Sequence, residues 1–421
     1  MPEKKSEAQN PTSDTRRLTS AGPFEVPGFL AGAAESGMRY AGRLDTALIY
    51  APNPAGCVAS GLFTRNSFCA APVELCRERL EKHRARAILI NAGIANACTG
   101  VEGKNRAIEM ARIASEALGC LADSVLVAST GVIGMQVELD AVARCMPTLV
   151  RSLRPNGWQD AARAIMTTDT VEKTASAKIE LGAGLGITIG GIAKGSGMIA
   201  PNMGTLLVFV CTDANLSAEV LDHWVRAGAD SSFNCITVDG DTSTNDSLIA
   251  LASGAAANPL ITDIESSESR AFGSALTSVL HDLAIQVVTD AEGATKLIEI
   301  EVSGAADRES ARKVAFTVAN SPLVKTAFFG QDANWGRIVA AAGRSGVPLA
   351  PERVGLFFEE LCVFENGAPI LDEQIEQKAS RIFKQKEIRV HLRLGQGDAS
   401  FTAWTCDLSL DYVKINASYR S

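Results

Sequence analysis

Histidine is scarce. The 421 residues hold only His83, His223, His281 and His391, none within helical reach of another. That excludes a histidine-built metal centre and leaves any catalytic triad short of bases. Closely paired cysteines are also missing. The ten stand at 57, 69, 76, 98, 120, 145, 211, 235, 362 and 406, so there is neither a C-x-x-C redox pair nor zinc-ribbon spacing. Their neighbours are mostly small or apolar, as around Cys120, which predicts buried free thiols in a reducing compartment. No basic excess exists: 40 Lys+Arg face 48 Asp+Glu, for a net charge of −8. Without a basic run the chain is ill suited to grip nucleic acid or an anionic membrane. Apolar runs such as 206–211 fall far short of the roughly 18 residues that span a bilayer. The opening stretch, MPEKKSEAQNPTSDTRR, lacks the apolar segment of a secretory signal and carries Glu3, Glu7 and Asp14, unlike a transit peptide. We expect residues 1–18 to be a disordered tail and the protein to be cytoplasmic.

What is present is core material and glycine. Hydrophobic residues make up 46% and charged residues 21%, enough for a sizeable core spread over one large or two to three ordinary domains. Apolar periodicity predicts helices over 74–86, 103–118, 137–152, 217–229 and 268–289. Strands are predicted over 87–91, 124–129, 206–211, 297–302, 353–358, 388–394 and 402–410, with a hairpin joining 177–181 to 187–189. This pattern predicts an α/β (α+β) fold of large mixed sheets flanked by helices. No internal repeat or Pro/Ser-rich linker divides it.

Glycine numbers 36 against 15 prolines, and much of it concentrates in five polar strings. They are 91–100 (NAGIANACTG), 129–134 (STGVIG), 190–204 (GGIAKGSGMIAPNMG), 239–246 (DGDTSTND) and 330–336 (GQDANWG). Any one alone is an ordinary turn. Five together predict loops converging on a polar small-molecule site. The familiar phosphate loops do not fit. Gly182, Gly184 and Gly186 give G-x-G-x-G, not G-x-G-x-x-G, and Gly191–Ser196 has the wrong order for a Walker A loop. Gly195–Ser196–Gly197 is not a G-x-S-x-G elbow. Thr205, after Gly204 and opening the apolar run, reads first as a plain strand start, and the same placement would also suit an N-terminal nucleophile. In such an enzyme an N-to-O acyl shift breaks the preceding peptide bond, and the freed α-amine, with a pKa of about 8, becomes the base. No histidine is then required.

Several long strings closely resemble the ArgJ family, the glutamate N-acetyltransferases (ornithine acetyltransferases) of arginine biosynthesis. They are 129–134, 193–205 (AKGSGMIAPNMGT), 232–246, 290–296 (DAEGATK), 326–337 and 413–421, and the resemblance runs from about residue 26 to the end. It implies self-cleavage before Thr205, giving an α chain that ends at Gly204 (residues 19–204 after the tail) and a β chain of 205–421 in an α2β2 assembly. The implied fold is similar to that of N-terminal-nucleophile peptidases. Thr205 would accept acetyl from N-acetylornithine, release ornithine and pass the acetyl to glutamate, with no metal or bound cofactor. Thr130 and Gly131 would form the oxyanion hole. Substrate contacts would fall at Thr168, Lys194, Thr205, Glu292, Asn416 and Ser421, with Lys194 meeting a carboxylate and Glu292 an ammonium. Two departures stand out: Gly204 where alanine is usual before the cut, and Ala92 and Ile94 where the early string usually carries serine and asparagine. An aminopeptidase or amidase of the same chemistry, and an uncleaved binding protein, stay open beside the transferase. No motif separates an enzyme limited to N-acetylornithine from one that also takes acetyl-CoA.

Overall fold

The computed structural model describes residues 23–181, 186–200 and 206–418. In chain order its first half contains β1 (Leu30–Ala34), β2 (Thr46–Tyr50), β3 (Cys57–Phe63), α1 (Ala71–Leu80), β4 (Arg84–Ala85), β5 (Ala87–Ile94), α2 (Gly100–Leu118), β6 (Val125–Val132), α3 (Leu139–Ser152), α4 (Trp158–Ala164), β7 (Lys173–Glu180) and β8 (Gly186–Lys194). The second half contains β9 (Leu207–Thr212), α5 (Ala218–Asp230), β10 (Ser247–Ala252), α6 (Ser267–Thr289), β11 (Leu297–Ala305), α7 (Arg308–Ala319), α8 (Pro322–Phe329), α9 (Trp335–Gly343), β12 (Gly355–Phe358), β13 (Leu361–Glu365), β14 (Ala368–Pro369), α10 (Glu373–Ile382), β15 (Glu387–Arg393), β16 (Ala399–Cys406) and α11 (Leu410–Ala417).

Two sheets are stacked face to face. One runs β1-β2-β5-β6 and the other β4-β3-β10-β9-β8-β7. Their facing side chains, among them Ile49, Ile88, Leu126, Phe209, Cys211 and Ile249, form one dry core. On the outer face of the first sheet, α2 and α3 bury Met110, Ala114, Val142 and Leu149. On the outer face of the second, α5 and α6 bury Val225, Phe272, Val279, Leu283 and Val287. Strands enclosed between layers in this way need apolar residues on both sides, and the LVFVCT of β9 is buried at every position. A third sheet, β14-β13-β12-β15-β11-β16, packs against α7 to α10 around its own core. The expected stacked, helix-flanked mixed sheets are therefore present.

Local chemistry sets the helix ends. The Ser217 and Ser266 side chains accept the Val220 and Ser269 N–H groups at the starts of α5 and α6. Gly119, left-handed at φ 62°, closes α2. By length and composition α6 could cross a bilayer; here it lies against β7 and β8 as a core helix.

Three expectations need correction. The helix predicted over 74–86 stops at Leu80, because His83 takes φ 50° and Arg84–Ala85 then pairs with β3. The strand predicted over 402–410 ends at Cys406; Ser409 caps a helix in place of a tail, its hydroxyl accepting the Asp411 and Tyr412 N–H groups. The fifth glycine string, 330–336, joins α8 to α9, where the Asn334 side chain caps α9. It lines a separate cavity with Leu371 and Ile375.

Candidate active site

The other four strings do converge. A cavity of about 240 Å³ is lined by Ala95, Thr130, Gly131, Thr168, Lys194, Gly197, Ser243, Asn245, Glu292 and Asn416, among others. Six expected site residues (Thr130, Gly131, Thr168, Lys194, Glu292 and Asn416) share that lining. Gly204, Thr205 and Ser421 lie outside the described residues, as do 1–22.

Thr130 and Gly131 sit where β6 leaves the first sheet. Gly131 has φ 130°, and a Cβ there would lie 2.2 Å from the Gly93 carbonyl carbon. No side chain fits, so the strand can curl over β5 and present its backbone to the cavity. Asn245 ties the strings together, its Nδ2 donating to the Ala95 carbonyl at 2.6 Å and the Ser129 carbonyl at 2.8 Å. Ala92 and Ile94, the two departures in the early string, are buried core residues.

Lys194 ends β8 and is 4% exposed. Its ammonium donates to Thr167 Oγ1 at 2.9 Å and Thr130 Oγ1 at 3.3 Å, and stands 3.8 Å from Asp169 Oδ2. Asp169 is the hub of this wall. Its Oδ1 accepts the Gly195 N–H and the Lys173 ammonium, both at 2.7 Å, and its Oδ2 accepts the Thr167 N–H at 3.0 Å. Lys173, itself wholly buried, also reaches Asp290 Oδ2 at 2.6 Å. Burial alone would raise the Asp169 carboxyl, but the two ammoniums hold it well below the usual range. Burial pushes the Lys194 ammonium down, and Asp169 opposes that shift.

Glu292 is placed by its own backbone, whose N–H donates to the Ser196 carbonyl at 2.8 Å. Its carboxylate accepts Asn416 Nδ2 at 2.7 Å. A Cβ on Gly197 would come within 2.5 Å of Glu292 Oε2, so this glycine makes room for the carboxylate. Thr168 Oγ1 and Ser196 Oγ are hydrogen-bonded at 2.7 Å. Asp239 holds the 196–199 turn by accepting the Met198 and Ile199 N–H groups at 2.6 and 2.9 Å, and Tyr412 Oη donates to it at 3.2 Å. Asp246 accepts the Leu206 N–H at 3.0 Å, one peptide bond from Thr205. Among the described residues its Oδ2 has no partner, and burial lifts its carboxyl well above the ordinary value.

The geometry thus supplies a hydroxyl, a backbone turn, an enclosed cation and a carboxylate around one cavity. Residues 30–421 match the ArgJ family. The chain belongs to the ArgJ family. It is similar to the arginine biosynthesis bifunctional protein ArgJ of Symbiobacterium thermophilum, at 48% identity over 95% of this chain and 99% of that protein. The corresponding protein of Gloeobacter violaceus is 47% identical over 94% of this chain and 97% of its own length. Among solved structures, the ornithine acetyltransferase of Mycobacterium tuberculosis complexed with ornithine is 36% identical, with a TM-score of 0.41 over 46% of this chain and 99% of that one.

Sequence reasoning missed Asp169, Lys173 and Asp290 in this ArgJ-family site. The i, i+4 spacing of Asp169 and Lys173 was a weak signal, but the third charge lies 117 residues away from Lys173. Among the described residues no cluster of three His, Cys, Asp or Glu side chains could hold a metal ion.

Proposed function

We propose that the chain cleaves itself between Gly204 and Thr205 and then transfers acetyl from N-acetylornithine to glutamate. The observation that carries this reading is the shared cavity: Thr130, Gly131, Thr168, Lys194, Glu292 and Asn416 come from five separate places in the chain and line one space. In self-cleavage, Thr205 Oγ attacks the Gly204 carbonyl carbon and the C–N bond gives way to an ester. The freed nitrogen takes the hydroxyl proton, and water hydrolyses the ester. The two chains would still share a sheet, since β8 and β9 pair with each other. In transfer, Thr205 Oγ attacks the acetyl carbon while its proton passes to the α-amine. The Thr130 hydroxyl and the Gly131 N–H receive the oxyanion, each such donor being worth about 100- to 1,000-fold in rate. Collapse returns the proton to the departing ornithine amine and leaves acetyl-Thr205. The glutamate amine then attacks the ester, its proton goes to the same base, and Thr205 is regenerated. Glu292 and Asn416 suit the ammonium end of ornithine, and Ser421 would add a hydrogen bond. Acetyl-CoA as a second donor, the α2β2 assembly and a cytoplasmic setting belong to the same reading.

A denaturing gel tests it first. Two bands of about half the chain mass are expected, one with an N-terminus reading Thr205–Leu206–Leu207, whereas Thr205→Ala should stay whole and inactive. Ornithine release that needs glutamate marks a transferase; release at the same rate without glutamate would replace it with a hydrolase. A single intact wild-type band would remove the mechanism.

A further inference from the structure

We infer that Ala95, Val132 and Ile133, beside the oxyanion pair, form the seat of the acyl methyl group and hold the donor to a two-carbon acyl chain. This rests on the transfer reaction and the oxyanion role proposed above. Covalent geometry sets the reach. A methyl carbon lies about 2.4 Å from the oxygen of its own acyl group. An oxygen held by hydrogen bonds of about 2.9 Å to Thr130 Oγ1 and the Gly131 nitrogen therefore keeps its methyl within about 5 Å of both. Val132 and Ile133 follow Gly131 directly, and the Ala95 N–H donates to the Val132 carbonyl at 3.0 Å. The other neighbours of the pair are polar: the Lys194 ammonium donates to the hydroxyls of Thr130 and Thr167. A methyl placed there would separate hydrogen-bonded groups, whereas against the apolar corner it only leaves water. Met198, another apolar lining residue, follows Gly197 and so belongs with Glu292 and the ammonium end.

The corner is small because it is built on alanine. Ala95 is 2% exposed and packs in a compact cluster with Ala70, Val73 and Ala97, and Ile133 rests on the same cluster. The backbone is tied on each side. The Ala95 carbonyl accepts Asn245 Nδ2 at 2.6 Å, and the Ala70 N–H donates to the Thr244 carbonyl at 2.8 Å. A floor packed and bonded in this way does not recede for a longer chain. A propionyl donor must press its extra methylene onto Ala95 or lift its carbonyl away from the oxyanion donors. One methylene in an apolar pocket is worth about 10- to 200-fold in kcat/KM. Ile133 is half-buried, so its side chain can be trimmed without opening the core.

N-acetylornithine and N-propionylornithine, each with saturating glutamate, are to be compared by kcat/KM per cleaved chain. Inhibition by ornithine, which carries no acyl group, is the control. Wild type should favour the acetyl donor by at least about tenfold. Ile133→Ala should shrink that preference about tenfold, through faster use of the propionyl donor, and Ile133→Val about threefold. Ala95→Val adds bulk to the floor and should slow the acetyl donor at least about tenfold. In all three the ornithine inhibition constant should stay within about twofold of wild type. Thermal melts and the two-band gel show whether each variant folds and cleaves, and Ile133→Val, the mildest change, carries the test where the others do not. A donor preference that does not move in the Ile133 variants would overturn the inference while leaving the transfer reaction standing. Ornithine inhibition weakened as much as donor use would do the same, since the residues would then be holding the ornithine part. Wild-type enzyme that releases no ornithine from either donor would instead bring down the transfer reaction on which the inference rests.

Discussion

The two walls flanking the cavity are buried alike and built differently. On one, Asp169, Lys173, Lys194 and Asp290 form a charged network whose side chains are at most 6% exposed. On the other, Ser243, Thr244 and Asn245 offer hydroxyls and an amide, and the single carboxyl, Asp246, meets the Leu206 N–H but no cation within hydrogen-bond reach among the described residues. Both aspartates are removed from water, yet their carboxyls shift in opposite directions: Asp169 is held low by two ammoniums, and Asp246 is pushed high by burial. Burial raises the cost of charge, and the partners decide whether the charge survives.

Asp169→Asn should break this contrast most severely. It removes the carboxylate that two buried ammoniums share, Lys173 keeping Asp290 but Lys194 losing its ion-pair partner, and breaking a buried pair from one side costs about 3–5 kcal/mol. A urea-unfolding midpoint at pH 7 within error of wild type would refute the account. The pH dependence has a definite sign. The Asp169 carboxyl is depressed in the fold, so its contribution is complete above the unfolded value of about 3.9 and is lost as pH falls below it. That acid-side loss should be missing from the variant.

Much of the frame around these walls was legible in the sequence. Residues 206–211 are apolar without a break because β9 is covered on both faces, and α2, α3, α5 and α6 announce themselves by period. The conformations that ended the predicted helix and strand were not legible. His83 turns left-handed where the periodic pattern continues, and Leu410 continues an apparent strand although Ser409 is a helix cap. Four of the five glycine strings meet at the cavity, but 330–336 shares their composition and lies elsewhere, since turn chemistry looks alike wherever a turn is needed. The expected residue set came from family resemblance; its buried counter-charges could be found only from contacts across the fold.

Gly197→Ala tests how the Glu292 carboxylate is placed, and its effect should fall on function. The atoms an added methyl would meet are the far end of the Glu292 side chain, at 2.5 to 2.8 Å. That end can swing away, so the melting temperature should change little. Swinging away breaks its bond to Asn416, and under the proposed function the KM for N-acetylornithine should rise about tenfold, equivalent to about 1.4 kcal/mol. An unchanged KM would detach Glu292 from substrate binding.

Asp246→Asn sharpens the contrast from the other wall. The amide is nearly isosteric and can still accept the Leu206 N–H through its oxygen, so stability at pH 7 should stay within about 1 kcal/mol of wild type. An acid whose carboxyl is raised in the fold binds its proton more tightly there than in the unfolded chain. Its contribution to stability therefore declines as pH rises from about 4 toward the folded value. Wild type minus variant, followed by urea unfolding between pH 4 and 7, should show that decline. A flat difference, or one of opposite slope, would mean that Asp246 is charged and paired after all.

Tyr412→Phe should have the smallest effect. Asp239 already accepts three backbone N–H groups, two from the 196–199 turn and that of Asp241, so loss of the fourth donor, at 3.2 Å, leaves its carboxylate with partners. A hydrogen bond of this kind is worth about 0.5–1.5 kcal/mol, and the long distance places it at the low end. The same bond ties α11, which carries Asn416, to the turn that seats Gly197. Any effect on N-acetylornithine should therefore be a rise in KM of about twofold with kcat unchanged. A fall in kcat without a change in KM would assign α11 to the chemical step and not to holding the substrate.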